Sequence, residues 1–174
     1  IHVNEPAAVF RTAARFGAVS GEKADDMQRQ QHAAHMTDRR VAIVTDSAAD
    51  IPDEELDRLD IHTIPVRVHF GEHSYLDKVG ITAEELYGRI AAGECPPKTS
   101  QPPPGDFRRQ FEFLGSHHSG VVSVNLTSRA SGTCAAAQTA AARTVTHGQV
   151  SVIDSGNAST GQGLVAMYAA ECAM

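Results

Sequence analysis

Val41-Ala42-Ile43-Val44-Thr45-Asp46-Ser47 is the stretch on which the fold turns. Four apolar residues run without a polar break and stop in a polar turn, which is the pattern of a strand buried on both faces of a parallel sheet. A helix start follows: Pro52 fixes φ, and Asp53, Glu54 and Glu55 place negative charge where a helix dipole favours it.

The same alternation of strand and helix continues downstream. Ile64, Val66, Val68 and Phe70 alternate with polar or β-prone neighbours and Gly71-Glu72 turns the chain, so a hairpin-like excursion is expected over 62–76. Thr82 with Glu84 and Glu85 opens a helix whose apolar face is Leu86, Tyr87 and Ile90 and which Gly93 stops. A proline-bearing loop over 95–104 comes next. Phe107, Phe111 and Leu114, spaced four and three apart, predict a helix over 105–114, and 120–126 reads as a strand. The loop 127–133 then leads into an alanine-rich helix through Arg143, 149–155 is another strand, and 156–163 is a loop entering a last helix. This order predicts an α/β fold, a mainly parallel sheet with helices on both faces.

Upstream of Arg39 the composition differs. Ile1-His2-Val3 reads as a strand end, Asn4-Glu5-Pro6 as a turn, and Ala7, Ala8, Val9, Ala13 and Ala14 as one stripe of a short helix. Residues 21–40 are polar, with Gln28, Gln30 and Gln31 among mixed charges, and read as a tail or linker. The chain begins at Ile1 and ends inside an apolar-rich run, 163–174, with no Gly or Asn stop, so it is expected to be a piece of a longer polypeptide.

At 174 residues and 41% hydrophobic residues, the chain can bury one ordinary core plus an appendage. Its 15 Lys+Arg against 21 Asp+Glu give a net charge of -6 with no basic block, which argues against nucleic acid as a partner. No apolar stretch is long enough to span a bilayer and no secretory signal is present, so a cytoplasmic protein with at most transient membrane contact is expected. Cys95, Cys134 and Cys172 are odd in number and far apart; buried or half-buried free thiols are expected, with neither a disulfide framework nor a CxxC motif.

Three strand ends carry polar turns: Thr45-Asp46-Ser47, the 127–133 loop, and Asp154-Ser155-Gly156-Asn157. In a doubly wound sheet such turns gather at the carboxyl edge, where ligands sit. Lys98-Thr99-Ser100-Gln101-Pro102 adds two hydroxyls and an amide on a proline-stiffened loop. Ser131-Gly132-Thr133 suits an anion best, because hydroxyls and free N–H groups meet at a helix start and Gly132 leaves room for a ligand oxygen. The plain structural reading is that Ser131 only caps the alanine-rich helix.

Other chemistries are weaker. A hydrolase would use Ser131 or Ser128 as nucleophile, His117 or His118 as base and Asp154 as orienting acid, but no G-x-S-x-G elbow is present. Asp46, Asp50 and Asp154 at strand ends suit a metal or phosphoryl site no better than ordinary turns. His32 with His35, His69 with His73, and His117-His118 lack a cysteine or carboxylate at metal-ligand spacing, so no metal is expected. Neither G-x-G-x-x-G after a strand nor a P-loop occurs.

Val44-Thr45-Asp46-Ser47-Ala48-Ala49-Asp50, Lys98-Thr99-Ser100-Gln101-Pro102, Ser131-Gly132-Thr133 and Val152-Ile153-Asp154-Ser155, in that order, resemble the DegV family of bacterial fatty-acid-binding proteins over about residues 40–174. The resemblance implies the first domain of a two-domain fold, with 39–174 as that domain and the second domain missing. It implies a carrier and not an enzyme, with no cofactor and no catalytic residue. A long-chain fatty acid would be held by its carboxylate on Thr99 and Ser131, with Ser100 and Gly132 beside them and Asp46, Ser47, Thr133 and Ser155 in support. The stretch Leu126-Thr127-Ser128-Arg129-Ala130 departs from the family's usual Ser-Ser-Gly-Leu form.

Residues 1–38 resemble instead the end of the fatty-acid kinase subunit that works with such carriers, followed by a linker, through Ile1-His2-Val3, Gly17 and Asp26-Met27-Gln28-Arg29-Gln30. This second resemblance implies a fatty-acid kinase, as a partner subunit or a fused domain, that phosphorylates the presented carboxylate with ATP.

Overall fold

The computed structural model describes residues 6–17, 19 and 41–174. In chain order the elements are α1 (Pro6–Ala14), β1 (Val41–Asp46), a 3-10 turn (Ser47–Ala49), α2 (Asp53–Leu59), β2 (Ile61–Ile64), β3 (Arg67–Phe70), β4 (His73–Leu76), α3 (Ala83–Ala91), β5 (Lys98–Ser100), α4 (Pro104–His117), β6 (Gly120–Asn125), α5 (Thr133–Ala141), β7 (Gln149–Asp154) and α6 (Thr160–Cys172). They fall into two compact units. One holds Pro65–Ser100 with the N-terminal helix; the other holds 41–64 and 101–174. The expected strand at 1–3 and linker at 21–40 lie outside the described residues.

The larger unit is built on a four-stranded parallel sheet in the order β2-β1-β6-β7. Side chains on a strand alternate between faces, and both faces of β1 are used. Ala42 and Val44 enter a core with Phe107, Phe111 and Leu114 of α4 and Ala136, Ala137 and Ala140 of α5. Ile43 enters the opposite core with Leu56 and Leu59 of α2 and Ala166 and Ala170 of α6. Covering helices on both faces explain why β1 reads as an unbroken apolar run. Gly163 lets α6 close on the turn after β1: a Cβ there would meet the Ala49 carbonyl oxygen at 2.5 Å and Ile51 Cγ1 at 3.0 Å.

The smaller unit carries an antiparallel sheet in the order β4-β3-β5. Val68, Phe70 and Ile81 form its core, with Tyr75 and Leu86 packed against them. Its helix α3 begins in a capping box, Thr82 accepting from the Glu85 N–H while the Glu85 carboxylate accepts from the Thr82 N–H. Past its end Gly93 takes φ +79°. Arg89 lies over the rings of Phe70 and Tyr75, 5.4 and 4.8 Å from their centroids, and donates to the Tyr75 hydroxyl at 3.0 Å. On α1, Arg11 pairs with Glu85 at 3.1 Å.

Four expectations are corrected. The stretch 62–76 does not form one excursion: residues 61–64 pair with β1 in the parallel sheet, and only β3 and β4 form the hairpin. Pro65, which has no N–H to donate, stands between them. The loop 95–104 contains β5, whose three residues are all exposed and so show no apolar alternation in the sequence. Tyr87 and Ile90 stand out into solvent at 67% and 44% exposure, leaving Leu86 as the residue of that face that packs. Of the cysteines only Cys134 is buried; Cys95 and Cys172 are exposed free thiols.

Phe111 is fully buried at the centre of the α4 side of the sheet, so Phe111→Ala should lower the unfolding free energy in urea by about 3–5 kcal/mol, the ordinary cost of emptying an aromatic core site. Tyr87→Ala should change it by no more than about 0.5 kcal/mol.

Candidate functional site

β1 and β6 are neighbours in the sheet but distant in sequence, and the chain leaves β1 toward β2 on one side and β6 toward β7 on the other. Loops leaving the carboxyl ends of two such strands diverge and leave a crevice between them. The pairing register puts Asp46, Asn125 and Asp154 in one row across that edge.

Asp46 organises the row. It is fully buried; Oδ1 accepts from the Ala48 N–H at 3.2 Å, and Oδ2 accepts from the Leu126 N–H at 2.9 Å and from Asn125 Nδ2 at 3.4 Å. The Ser123 hydroxyl in turn donates to Asn125 Oδ1 at 2.9 Å. Behind it the buried Thr45 hydroxyl donates to the Val124 carbonyl at 2.8 Å and accepts from Gln162 Nε2 at 3.1 Å. Gln162 Oε1 is buried and has no hydrogen-bond partner among the described residues. Ser47 is buried at the start of the 3-10 turn.

The loop after β6 is held from the next strand. Asp154 Oδ2 accepts from the Ser128 N–H at 3.1 Å and Oδ1 from the Gly156 N–H at 2.9 Å. These bonds, with a further one from the Ser128 hydroxyl as the largest cause, hold the Asp154 carboxyl below the usual carboxylate range. Ser155 closes its own turn, its hydroxyl donating to the Asn157 carbonyl at 3.0 Å and accepting from the Asn157 N–H at 3.1 Å.

Ser131, Gly132 and Thr133 stand at the start of α5. Gly132 occupies the capping position, and the Ser131 hydroxyl accepts from the Thr133 N–H at 3.2 Å while its oxygen lies 2.8 Å from Thr133 Oγ1. Ser131 therefore serves the helix start, as the plain reading has it, through an N–H two residues on. When Thr133 donates the hydroxyl bond, both Ser131 lone pairs are engaged and its own hydrogen is left for an acceptor. A Cβ at Gly132 would overlap Gln101 Oε1 and lie 2.8 Å from Cδ and 3.1 Å from Nε2, the far end of an exposed side chain.

Thr99 and Ser100 lie on exposed β5 of the smaller unit, where Thr99 pairs in register with Val68 and Ser100 Oγ is 2.8 Å from His69 Nε2. The other sequence-predicted residues, Asp46, Ser47, Ser131, Gly132, Thr133 and Ser155, all belong to the larger unit. Asn125 and Gln162 are additions from the structure. A lone amide between two glycines, Gly161-Gln162-Gly163, is the one sequence signal that pointed toward Gln162.

The hydrolase reading does not survive. His118 is buried with Nδ1 3.0 Å from the Leu114 carbonyl, and His117 Nδ1 is 2.9 Å from the Phe113 carbonyl. Both histidines precede β6 and both serines follow it, and its six residues span about 20 Å. Burial pushes the Cys134 thiol up, aided by the Asp154 and Asp46 carboxylates, which makes it a packing residue rather than a nucleophile. Among the described residues, no three His, Cys, Asp or Glu side chains gather as a metal site and no helix is long and apolar enough to cross a membrane.

A depressed acid contributes stability that is complete above its unfolded pKa and is lost as pH falls through its folded value. The gap in melting temperature between the unaltered protein and Asp154→Asn should therefore be steady above about pH 5 and close below about pH 4. Thermal scans across that range check it.

A family model described as "Uncharacterised protein, DegV family" matches residues 40–174. Protein DegV of Bacillus subtilis is 37% identical over 131 residues, 75% of this chain and 46% of that protein. Among solved structures, a DegV family protein from Thermus thermophilus described for its fatty acid binding is 33% identical with a TM-score of 0.69, covering 76% of this chain and 46% of that one. A stearic acid-binding protein from Eubacterium ventriosum is 30% identical with a TM-score of 0.69, covering 75% and 46%. The chain spans about half the length of the relatives it matches.

Proposed function

This chain belongs to the DegV family, and from that premise we propose that it holds one long-chain fatty acid by its carboxylate. Thr99 and Ser131 are the hydroxyl donors in this reading, with Ser100 and Gly132 beside them. Asp46, Ser47, Thr133 and Ser155 keep the surrounding turns in shape. The observation that carries the reading is the Ser131–Thr133 hydroxyl pair at the head of α5, a donor arrangement suited to a carboxylate, in a chain similar at 30% identity or more to proteins described as binding fatty acids.

The energetics suit a carrier. Burying an acyl chain is worth about 0.8 kcal/mol per methylene, so about 14–16 methylenes supply on the order of 12 kcal/mol before ordering costs. The tail provides affinity; neutral donors at the head provide orientation and leave the headgroup reachable.

The same reading makes the chain the non-enzymatic partner of a fatty-acid kinase in the cytoplasm, supplied as a separate subunit or as a fused domain whose end is residues 1–38. That kinase transfers the γ-phosphoryl group of ATP to a carboxylate oxygen, giving the acyl phosphate and ADP. Residues 39–174 then form the first domain of the carrier.

Native mass spectrometry of the intact protein should show a co-purified fatty acid, and Thr99→Ala with Ser131→Ala should reduce its occupancy at least about 10-fold, the worth of one hydrogen bond to a charged group. Lipid-free protein from cells, or a double variant as fully loaded as the parent, would contradict the proposal.

A further inference from the structure

We infer that one internal water molecule binds between β1, β2 and the first turn of α6, held by Gln162, Thr63 and Thr45; it stands whether or not a fatty acid is bound. Ile43 and Ile61 are register partners, and both enter the core under α2 and α6. Side chains two residues apart on a strand share a face, so the next partners, Thr45 and Thr63, point to the same side. Two hydroxyls thus stand next to each other at the strand ends that Gln162 reaches.

Gln162 is fixed in place there. α6 closes on the turn after β1 at Gly163, against the Ala49 carbonyl oxygen, and the Ser159 hydroxyl donates to Asp50 Oδ2 at 2.8 Å. The Gln162 side chain is fully buried and donates from Nε2 to Thr45 Oγ1 at 3.1 Å. Thr45 has one hydroxyl hydrogen, and that goes to the Val124 carbonyl at 2.8 Å, so toward the amide it can only accept. The NH2 end therefore faces Thr45, and Oε1 faces away from it, still buried.

On this face of the sheet two buried atoms, Gln162 Oε1 and Thr63 Oγ1, have no hydrogen-bond partner among the described residues. Buried polar atoms are costly to leave unpaired. The amide oxygen can only accept, whereas the hydroxyl has a hydrogen to give. Gln162 sits on Thr45, neighbouring strands stand about 4.8 Å apart, and one water spans about 5.5 Å between the two atoms it bonds. Such a water donates to Gln162 Oε1, accepts from the Thr63 hydroxyl and reaches the second lone pair of Thr45 Oγ1, within the roughly two to four partners that a buried water needs. The carboxyl end of β1 is then held from both faces, at Asp46 by the donors around its carboxylate and at Thr45 by the water that ties β2 to α6.

Two measurements on the intact protein test this. A high-resolution crystal structure should show a water oxygen within about 3.2 Å of both Gln162 Oε1 and Thr63 Oγ1. A direct bond between the two side chains, or ordered side chains with no water between them, would overturn the inference. Urea unfolding of Thr63→Val, Gln162→Met and the double variant supplies the second measurement. Because the two side chains share one water, the folding constant of the double variant should exceed the product of the two single effects by more than about 2-fold. Single effects that multiply to within about 2-fold would show two independent side chains and no shared water.

Discussion

A carboxylate with no exposed surface sits at the point where two parallel strands release their loops, and the candidate site depends on it. Burying a charge in a protein interior is costly unless donors surround it. Asp46 has the Ala48 and Leu126 N–H groups and the Asn125 amide, and those three donors belong to the turn after β1 and to the exit of β6. The same bonds that offset the cost of burial thus tie together the two loops flanking the crevice. Asp154 repeats the device one strand further out, where solvent makes it weaker.

On this frame the larger unit presents short, neutral donors. Ser131 is oriented by Thr133, which is itself fully buried. Neutral donors bind an acid head more weakly than an arginine fork does. In the proposed carrier that weakness would be useful: an apolar tail would supply most of the affinity, and the head would stay open to exchange.

The parallel sheet was legible because burial on both faces leaves an uninterrupted apolar run, as in 41–44, and because Phe107, Phe111 and Leu114 keep strict helical spacing. β5 was not legible. Its three exposed residues are extended only because β3 pairs with them, and pairing between distant segments leaves no local trace. The boundary at Pro65 was missed for a related reason, since Ile64, Val66, Val68 and Phe70 keep one alternation across it although 61–64 and 67–70 enter different sheets. At the site, the polar turns were visible as residue types, whereas the bonds within them were not: nothing in the residue order shows that the Ser131 hydroxyl accepts from the Thr133 N–H. Gln162 had only its place between two glycines to mark it, which does not by itself distinguish a buried amide from a solvated one.

The most direct measurement is a crystal structure of the intact protein with oleate bound. The account predicts carboxylate oxygens within about 3 Å of the Ser131 and Thr99 hydroxyls, with the acyl chain running into an apolar interior. A carboxylate seated elsewhere, with Ser131 bonded only to Thr133, would contradict it.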